Sequence, residues 1–275
     1  LSQQSETLSI STNNGSVVLA QLSDPHLFTD VDSVFLGINP HASLTEILNV
    51  IQNERELNAV LATGDISQDH QDSTYRLFEQ MMTTLPVPTF VLPGNHDKPH
   101  SMQQAFAGDK VHYGRRVVAG NWQILLLDST VAGRPSGHLS DNELDWLGRM
   151  LQQFGEMPTV VALHHNPVLT ECVWLDQHCL ANGNQLLAML ALHPQVKAVL
   201  WGHVHQQMDL YHQHIRLLAV PSTSIQFKPK QTNFVLDKLQ PGYRLLRLYP
   251  DGTFDTEVKR LKDGKFIADS SATGY

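Results

Sequence analysis

Apolar residues gather along this chain into short continuous runs that stop at polar turns, with amphipathic stretches between many of them. The runs Val17–Leu22, Ala59–Thr63, Pro88–Leu92, Gln123–Asp128, VVAL at 160–163 and AVLW at 198–201 predict strands. Val17–Leu22 is nearly unbroken, as expected for a strand covered on both faces. Helical spacing predicts a helix over Ser43–Asn53, opened by a capping box of Ser43 and Glu46. A second covers Ser73–Met82, with Tyr75, Phe78 and Met82 on one side. A third starts at Ser140 and Glu143 and carries a stripe of Leu144, Leu147, Leu151 and Phe154. A loop from Asn166 to about Leu180 leads to a fourth, near Asn184–Leu192. Beyond His205 the pattern turns strand-rich, at Ile215–Val220, Tyr243–Tyr249 and Thr253–Arg260, with turns at Pro241-Gly242 and Asp251-Gly252. Helices alternating with strands, then a strand-rich end, predict two packed sheets flanked by helices.

There is no internal repeat and no Gly-, Ser- or Pro-rich linker, so residues 1–275 read as a single domain. Residues 1–15 read as a flexible lead-in and 262–275 as a C-terminal tail. A charged fraction of 17% excludes a disordered chain. The net charge of −8 argues against a nucleic-acid groove, which needs Lys and Arg. It does not argue against a small anionic substrate, since bound cations would dominate the local field. Two cysteines, Cys172 and Cys179, are too few for a disulfide framework and read as reduced thiols. The polar start and the lack of a long apolar run lead to the expectation of a soluble, cytoplasmic protein without membrane contact.

Composition gains meaning once the turns are inspected. Five strand-like runs end in Asp24-Pro-His26, Gly64-Asp65, Gly94-Asn95-His96-Asp97, His164-His165 and Gly202-His203-Val-His205. Six of the fifteen histidines lie in these turns. Asp24 with His26, and His203 with His205, are two residues apart and would project to one side of an extended segment. Carboxyl ends of strands in α/β sheets are where ligands collect. Two carboxylates, one amide oxygen and four imidazoles, from Asp24, His26, Asp65, Asn95, His164, His203 and His205, suit iron, manganese, cobalt or zinc and suit calcium poorly. Asp65 has two oxygens and can bridge a pair of ions, an arrangement that supports phosphoryl displacement.

The order D-x-H, G-D, G-N-H-D, H, G-H-x-H resembles the calcineurin-like metallophosphoesterases, and within them the bacterial class III 3′,5′-cyclic-AMP phosphodiesterases. DPHL, ATGD, LPGNHD, QILLLDS, WLDQH, PST-x-x-QFKP and the closing Gly-Tyr are also similar, from about residue 17 to Tyr275. The resemblance implies a four-layer αββα sandwich of two mixed sheets, the metallo-dependent phosphatase fold. It implies two divalent cations, Fe2+ or Mn2+ first and Zn2+ or Co2+ next. One would sit at Asp24, His26, Asp65 and His205, the other at Asp65, Asn95, His164 and His203. A hydroxide between them would attack phosphorus, with His26, Asp65, Asn95, His96, His164 and His205 around the substrate. His96 and Asp65 are the catalytic residues it implies, His96 beside the phosphate and protonating the departing 3′ oxygen of cyclic AMP. Some relatives place an Asp three residues beyond the bridging carboxylate to orient that histidine. Here the position is Gln68, which leaves Asp69 or Asp97 for the task.

A lone Asp-x-His is usually a cap or a surface turn, and Gly-Asn-His-Asp is an ordinary turn sequence. The conjunction of all five in one order is what favours a metal site. His165 reads as support for His164, Trp174 as either a stacking platform for adenine or a loop anchor, and Lys228 and Lys230 as solvated charges. Two other readings use the same ligands: a broader phosphodiesterase acting on other cyclic nucleotides or glycerophosphodiesters, and a metal-bound scaffold without catalysis.

Overall fold

Successive residues of Val17–Leu22 serve different cores: Val17 and Leu19 pack between two sheets, while Val18, Ala20 and Leu22 pack outward against helices. The period-two alternation of strand side chains therefore builds two layers of core at once. This is seen in a computed structural model that describes residues 7–10, 12, 15–262 and 264–274. The elements in chain order are β1 (Thr7–Ile10), β2 (Val17–Leu22), α1 (Pro40–Ile51), β3 (Leu57–Ala62), α2 (Asp72–Met82), β4 (Thr89–Val91), α3 (Pro99–Ala105), β5 (Val111–Tyr113), β6 (Arg116–Ala119), β7 (Trp122–Leu126), α4 (Asp141–Gln153), β8 (Thr159–Ala162), α5 (Gly183–Ala191), β9 (Val196–Trp201), β10 (Met208–His212), β11 (Ile215–Ala219), β12 (Gly242–Leu248) and β13 (Phe254–Arg260).

One sheet runs β13-β12-β2-β3-β4-β5 and the other β1-β6-β7-β8-β9-β11-β10. Both are mixed. β2 to β5 are parallel with β12 antiparallel beside β2, and β7, β8, β9 and β11 are parallel with β6 and β10 antiparallel at their flanks. Leu61, Phe90, Trp122, Ile124, Val160, Leu200 and Leu246 fill the space between the sheets. Ile47 and Ile51 of α1 with Tyr75 and Phe78 of α2 cover one outer face, and Leu144, Leu147 and Leu151 of α4 with Leu186 and Leu190 of α5 cover the other. The four-layer sandwich expected from the sequence is thus the observed fold.

Several local expectations change. The capping box at Ser43 and Glu46 does not form. α1 begins earlier because Pro40 can occupy the first helical turn and the Asn39 side chain accepts from the Ala42 N–H at 2.7 Å. Ser43 is buried inside the helix and donates to the Thr223 carbonyl, while Glu46 pairs with Lys265 across the surface. Ser140 does cap α4, accepting from the Glu143 N–H. Phe154 falls at the end of α4 rather than in its core stripe, with the Arg116 guanidinium 3.6 Å from its ring centre. Part of the expected lead-in is strand: β1 pairs in parallel with β6, and Ile10 is buried. Within 262–274, Phe266 is buried and Asp269 N–H donates to the Leu36 carbonyl. Residues 1–6, 11, 13 and 14 of the lead-in, and Tyr275 of the closing Gly-Tyr, lie outside the described residues. Among the described residues no helix is long and apolar enough to cross a membrane. Both cysteines are free.

Candidate active site

Each of the five polar turns follows the carboxyl end of a parallel strand: β2, β3 and β4 from one sheet, β8 and β9 from the other. The two sheets meet there, so residues 24 and 205 face one centre. Asp24, His26, Asp65, His203 and His205 all have left-handed backbone, with φ of 54°, 50°, 52°, 64° and 47°. The pairs Asp24/His26 and His203/His205 are therefore not extended, as the two-residue spacing suggested. Their side chains converge because the chain turns sharply at each one. Such conformations cost of order 1–3 kcal/mol each and persist where the surroundings fix them.

What fixes them is a mesh of backbone bonds between the turns. Asp24 N–H donates to Gly64 O, His26 N–H to Asp65 O, and Gly202 N–H to His164 O, at 3.0, 3.0 and 3.2 Å. Each carboxylate is held by a main-chain donor from another turn. His203 N–H reaches both oxygens of Asp24 at 3.0 and 3.1 Å, and His96 N–H reaches Asp65 Oδ1 at 2.9 Å. Gly94 is required here, since a Cβ would stand 2.1 Å from Asp65 Oδ1. Asp97 ties the same turns together, accepting from the N–H groups of Gly94, Ile66 and Ser67.

The sequence-predicted residues come together in two triads. Asp24, His26 and His205 form one and Asp65, His164 and His203 the other, with the ligand atoms of each within 4.8 Å of one another. Asn95 Oδ1 lies 3.1 Å from His164 Nε2 and joins the second. Asp65 Oδ2 stands between them, 3.8 Å from His26 Nε2 and 3.3 Å from His164 Nε2. His96 is also within ligand reach of His26 and Asp65. Its ring meets His26 edge-on and stacks on His70 at 6.0 Å and 13°.

These residues fit a pair of cations. The donor set is nitrogen and oxygen, and both nitrogens of buried His203 lack a hydrogen-bond partner among the described residues. Leaving such atoms unmatched costs free energy that a cation would recover. The electrostatics agree for the two carboxylates and for His26 and His203. Burial alone would raise the Asp65 carboxyl, but His164 and His96 hold it well below the usual range. Asp24 is also lowered, burial being outweighed chiefly by His205. Burial lowers His26 to about 3, against the pull of Asp65, and lowers His203, helped by His165 and His164. Only His164 is pushed the other way, to about 9, because Asp65 outweighs its burial. Ionised carboxylates and neutral imidazoles are the forms that bind metal.

Asn95, His96 and His203 bring the cluster to the wall of a cavity of about 620 Å³, which is also lined by His70, Lys98, Arg134, Pro135, Trp174, His178 and Phe234. Lys98 and Arg134 give the described lining positive charge, and no Asp or Glu is among those lining residues, on a chain of net charge −8. Trp174 lines the cavity and is packed edge-on against Phe227 and Phe234. His165 stays behind the cluster, against the rings of His164 and His203, with Ser129 Oγ 2.8 Å from its Nδ1. Lys228 is exposed, and Lys230 pairs with Glu171. The Asp69 carboxylate accepts from Thr29 N–H and Thr74 Oγ1, and that of Asp97 from the N–H groups of Gly94, Ile66 and Ser67. The residues the sequence reading missed, His70, Arg134 and Phe234, are joined to the site only by the fold, and no local motif marks them.

Known proteins match this arrangement. The model of the family described as calcineurin-like phosphoesterase matches residues 17–207. The 3′,5′-cyclic adenosine monophosphate phosphodiesterase CpdA of Escherichia coli (strain K12) is 43% identical over 261 residues, 94% of this chain and 95% of that one. The protein of the same name from Pseudomonas aeruginosa is 40% identical over 95% of this chain and 96% of its own. A dimetal phosphatase from Danio rerio shares the fold, with a TM-score of 0.63 and 15% identity over 84% of this chain and 95% of that one. The family's span takes in every one of the five turns, and the chain belongs to the calcineurin-like phosphoesterases.

Proposed function

We propose that this protein hydrolyses 3′,5′-cyclic AMP to 5′-AMP at two divalent cations, acting as one domain. One half-site is Asp24, His26, Asp65 and His205, and the other Asp65, Asn95, His164 and His203, with Asp65 shared. The observation that carries this is the meeting of the two triads on either side of Asp65, at the wall of a cavity of a size to take a nucleotide. Cyclic AMP is chosen because near full-length relatives above 40% identity bear that activity in their names. Iron, manganese, cobalt and zinc all suit these nitrogen and oxygen donors, and Fe2+ or Mn2+ is placed first on the family resemblance, with Zn2+ or Co2+ next. The cytoplasm is the assigned compartment, in keeping with two free cysteines.

When bound, the cations polarise the phosphoryl oxygens and activate a water for in-line displacement. The chain's own residues do the rest. Asp24 and Asp65 supply the negative charge that keeps the cations in place. Lys98 and Arg134 draw the anionic ester inward. His96, on the cavity wall beside the cluster, gives a proton to the departing 3′ oxygen.

Purified protein loaded with Mn2+ or Fe2+ and given cyclic AMP should yield 5′-AMP. Its kcat/KM should exceed that for a glycerophosphodiester or an aryl phosphodiester. No AMP would defeat the proposal, and equal or better use of the simpler esters would point to a broader phosphodiesterase.

A further inference from the structure

Three histidines of the cluster turn Nε2 toward its centre and Nδ1 away from it. What receives Nδ1 differs. His164 Nδ1 lies 2.8 Å from the Thr63 carbonyl and His205 Nδ1 2.9 Å from the Ile225 carbonyl, both fixed parts of the main chain. His26 Nδ1 instead lies 2.8 Å from Oε1 of the Gln68 side chain. Gln68 is itself well placed, because its N–H donates to the Leu27 carbonyl at 2.8 Å, one residue beyond His26. The acceptor for His26 is thus a neutral amide on a side chain.

We infer that Gln68 is a positioning residue for His26, and that its neutral amide sets how tightly the cation of the Asp24, His26, Asp65 and His205 half-site is held. The inference rests on the two-cation reading above. An imidazole that binds metal through Nε2 keeps its proton on Nδ1, and the acceptor of that proton fixes the ring's tautomer and tilt. A carboxylate acceptor also raises the basicity of the far nitrogen, whereas an amide raises it less, and loss of such a partner typically costs 10–100-fold in metal affinity. Gln68 therefore orients His26 without strengthening it as a carboxylate would.

The test is titration of metal-free protein with Mn2+ and, separately, Zn2+ by calorimetry, for the wild type, Gln68→Ala and Gln68→Glu. Gln68→Ala should weaken one of the two binding events by about 10–100-fold and leave the other within about twofold. Gln68→Glu restores an acceptor of nearly the same shape and should tighten the same event by about tenfold. The uncharged alanine variant separates lost orientation from plain electrostatics, and circular dichroism checks that both variants are folded. Two ions in the wild type with both dissociation constants unmoved in both variants, or moved equally, would overturn the role of Gln68 alone. A wild type that binds no ion would overturn the two-cation reading itself.

Discussion

Asp65→Asn should lower cyclic-AMP turnover by at least about 10³-fold, because it removes the one charge that two cations would share. Cation catalysis of this kind is worth several kcal/mol of transition-state stabilisation, and each 1.36 kcal/mol is about tenfold in rate. The substitution is nearly isosteric. An amide oxygen can still accept from the His96 N–H that now bonds Asp65 Oδ1, so the metal-free fold should survive. What is lost is the charge on Oδ2, which faces His164 and His26. The comparison to make is thermal unfolding with and without a chelator, alongside kcat. Cation binding stabilises the wild type by about 2.7 kcal/mol at a hundredfold excess over Kd, so a chelator should lower its Tm. The variant should show little response. A variant with turnover within tenfold of wild type would mean that Asp65 is not the shared ligand.

The second large effect belongs to His96. His96→Ala should lower turnover of cyclic AMP by about 10²–10⁴ while both cations remain bound. Alanine keeps the main-chain N–H that holds Asp65, and only the ring is removed from its place against His26 and His70. The p-nitrophenolate of a p-nitrophenyl phosphodiester departs without needing a proton, so hydrolysis of that ester should fall much less. Equal losses on the two esters would deny the proton donor. Because His96 lies within ligand reach of His26 and Asp65, metal content is measured on the same sample. A fall to one ion would move His96 into the ligand set.

Much of this site was legible before any coordinates because its residues sit where the strand pattern stops. Strands buried on both faces read as apolar runs, and polar residues immediately after them have few other reasons to recur five times. The backbone state at those residues was not legible. Spacing suggested extended pairs at Asp24/His26 and His203/His205, whereas the mesh of bonds from neighbouring turns imposes left-handed φ. Capping was half legible. Ser140 caps as its sequence implies, but the signal at Ser43 was overridden by Asn39 and Pro40 upstream and by burial of Ser43 against Thr223. The short elements β5, β6 and α3 carry too few residues for periodicity to show, and β10 pairs at a sheet edge with exposed Leu210 and Tyr211. Gln68 stood out only as a departure from a related pattern. Its contact with His26 crosses from one turn to another, and only the folded chain reveals it.

Seven side chains from five turns would hold two cations on either side of Asp65. Anomalous scattering from crystals grown with Mn2+ tests it most directly. Two peaks about 3.5–4 Å apart with the Asp65 carboxylate between them are predicted. A single peak, or peaks remote from Asp65, would contradict the account.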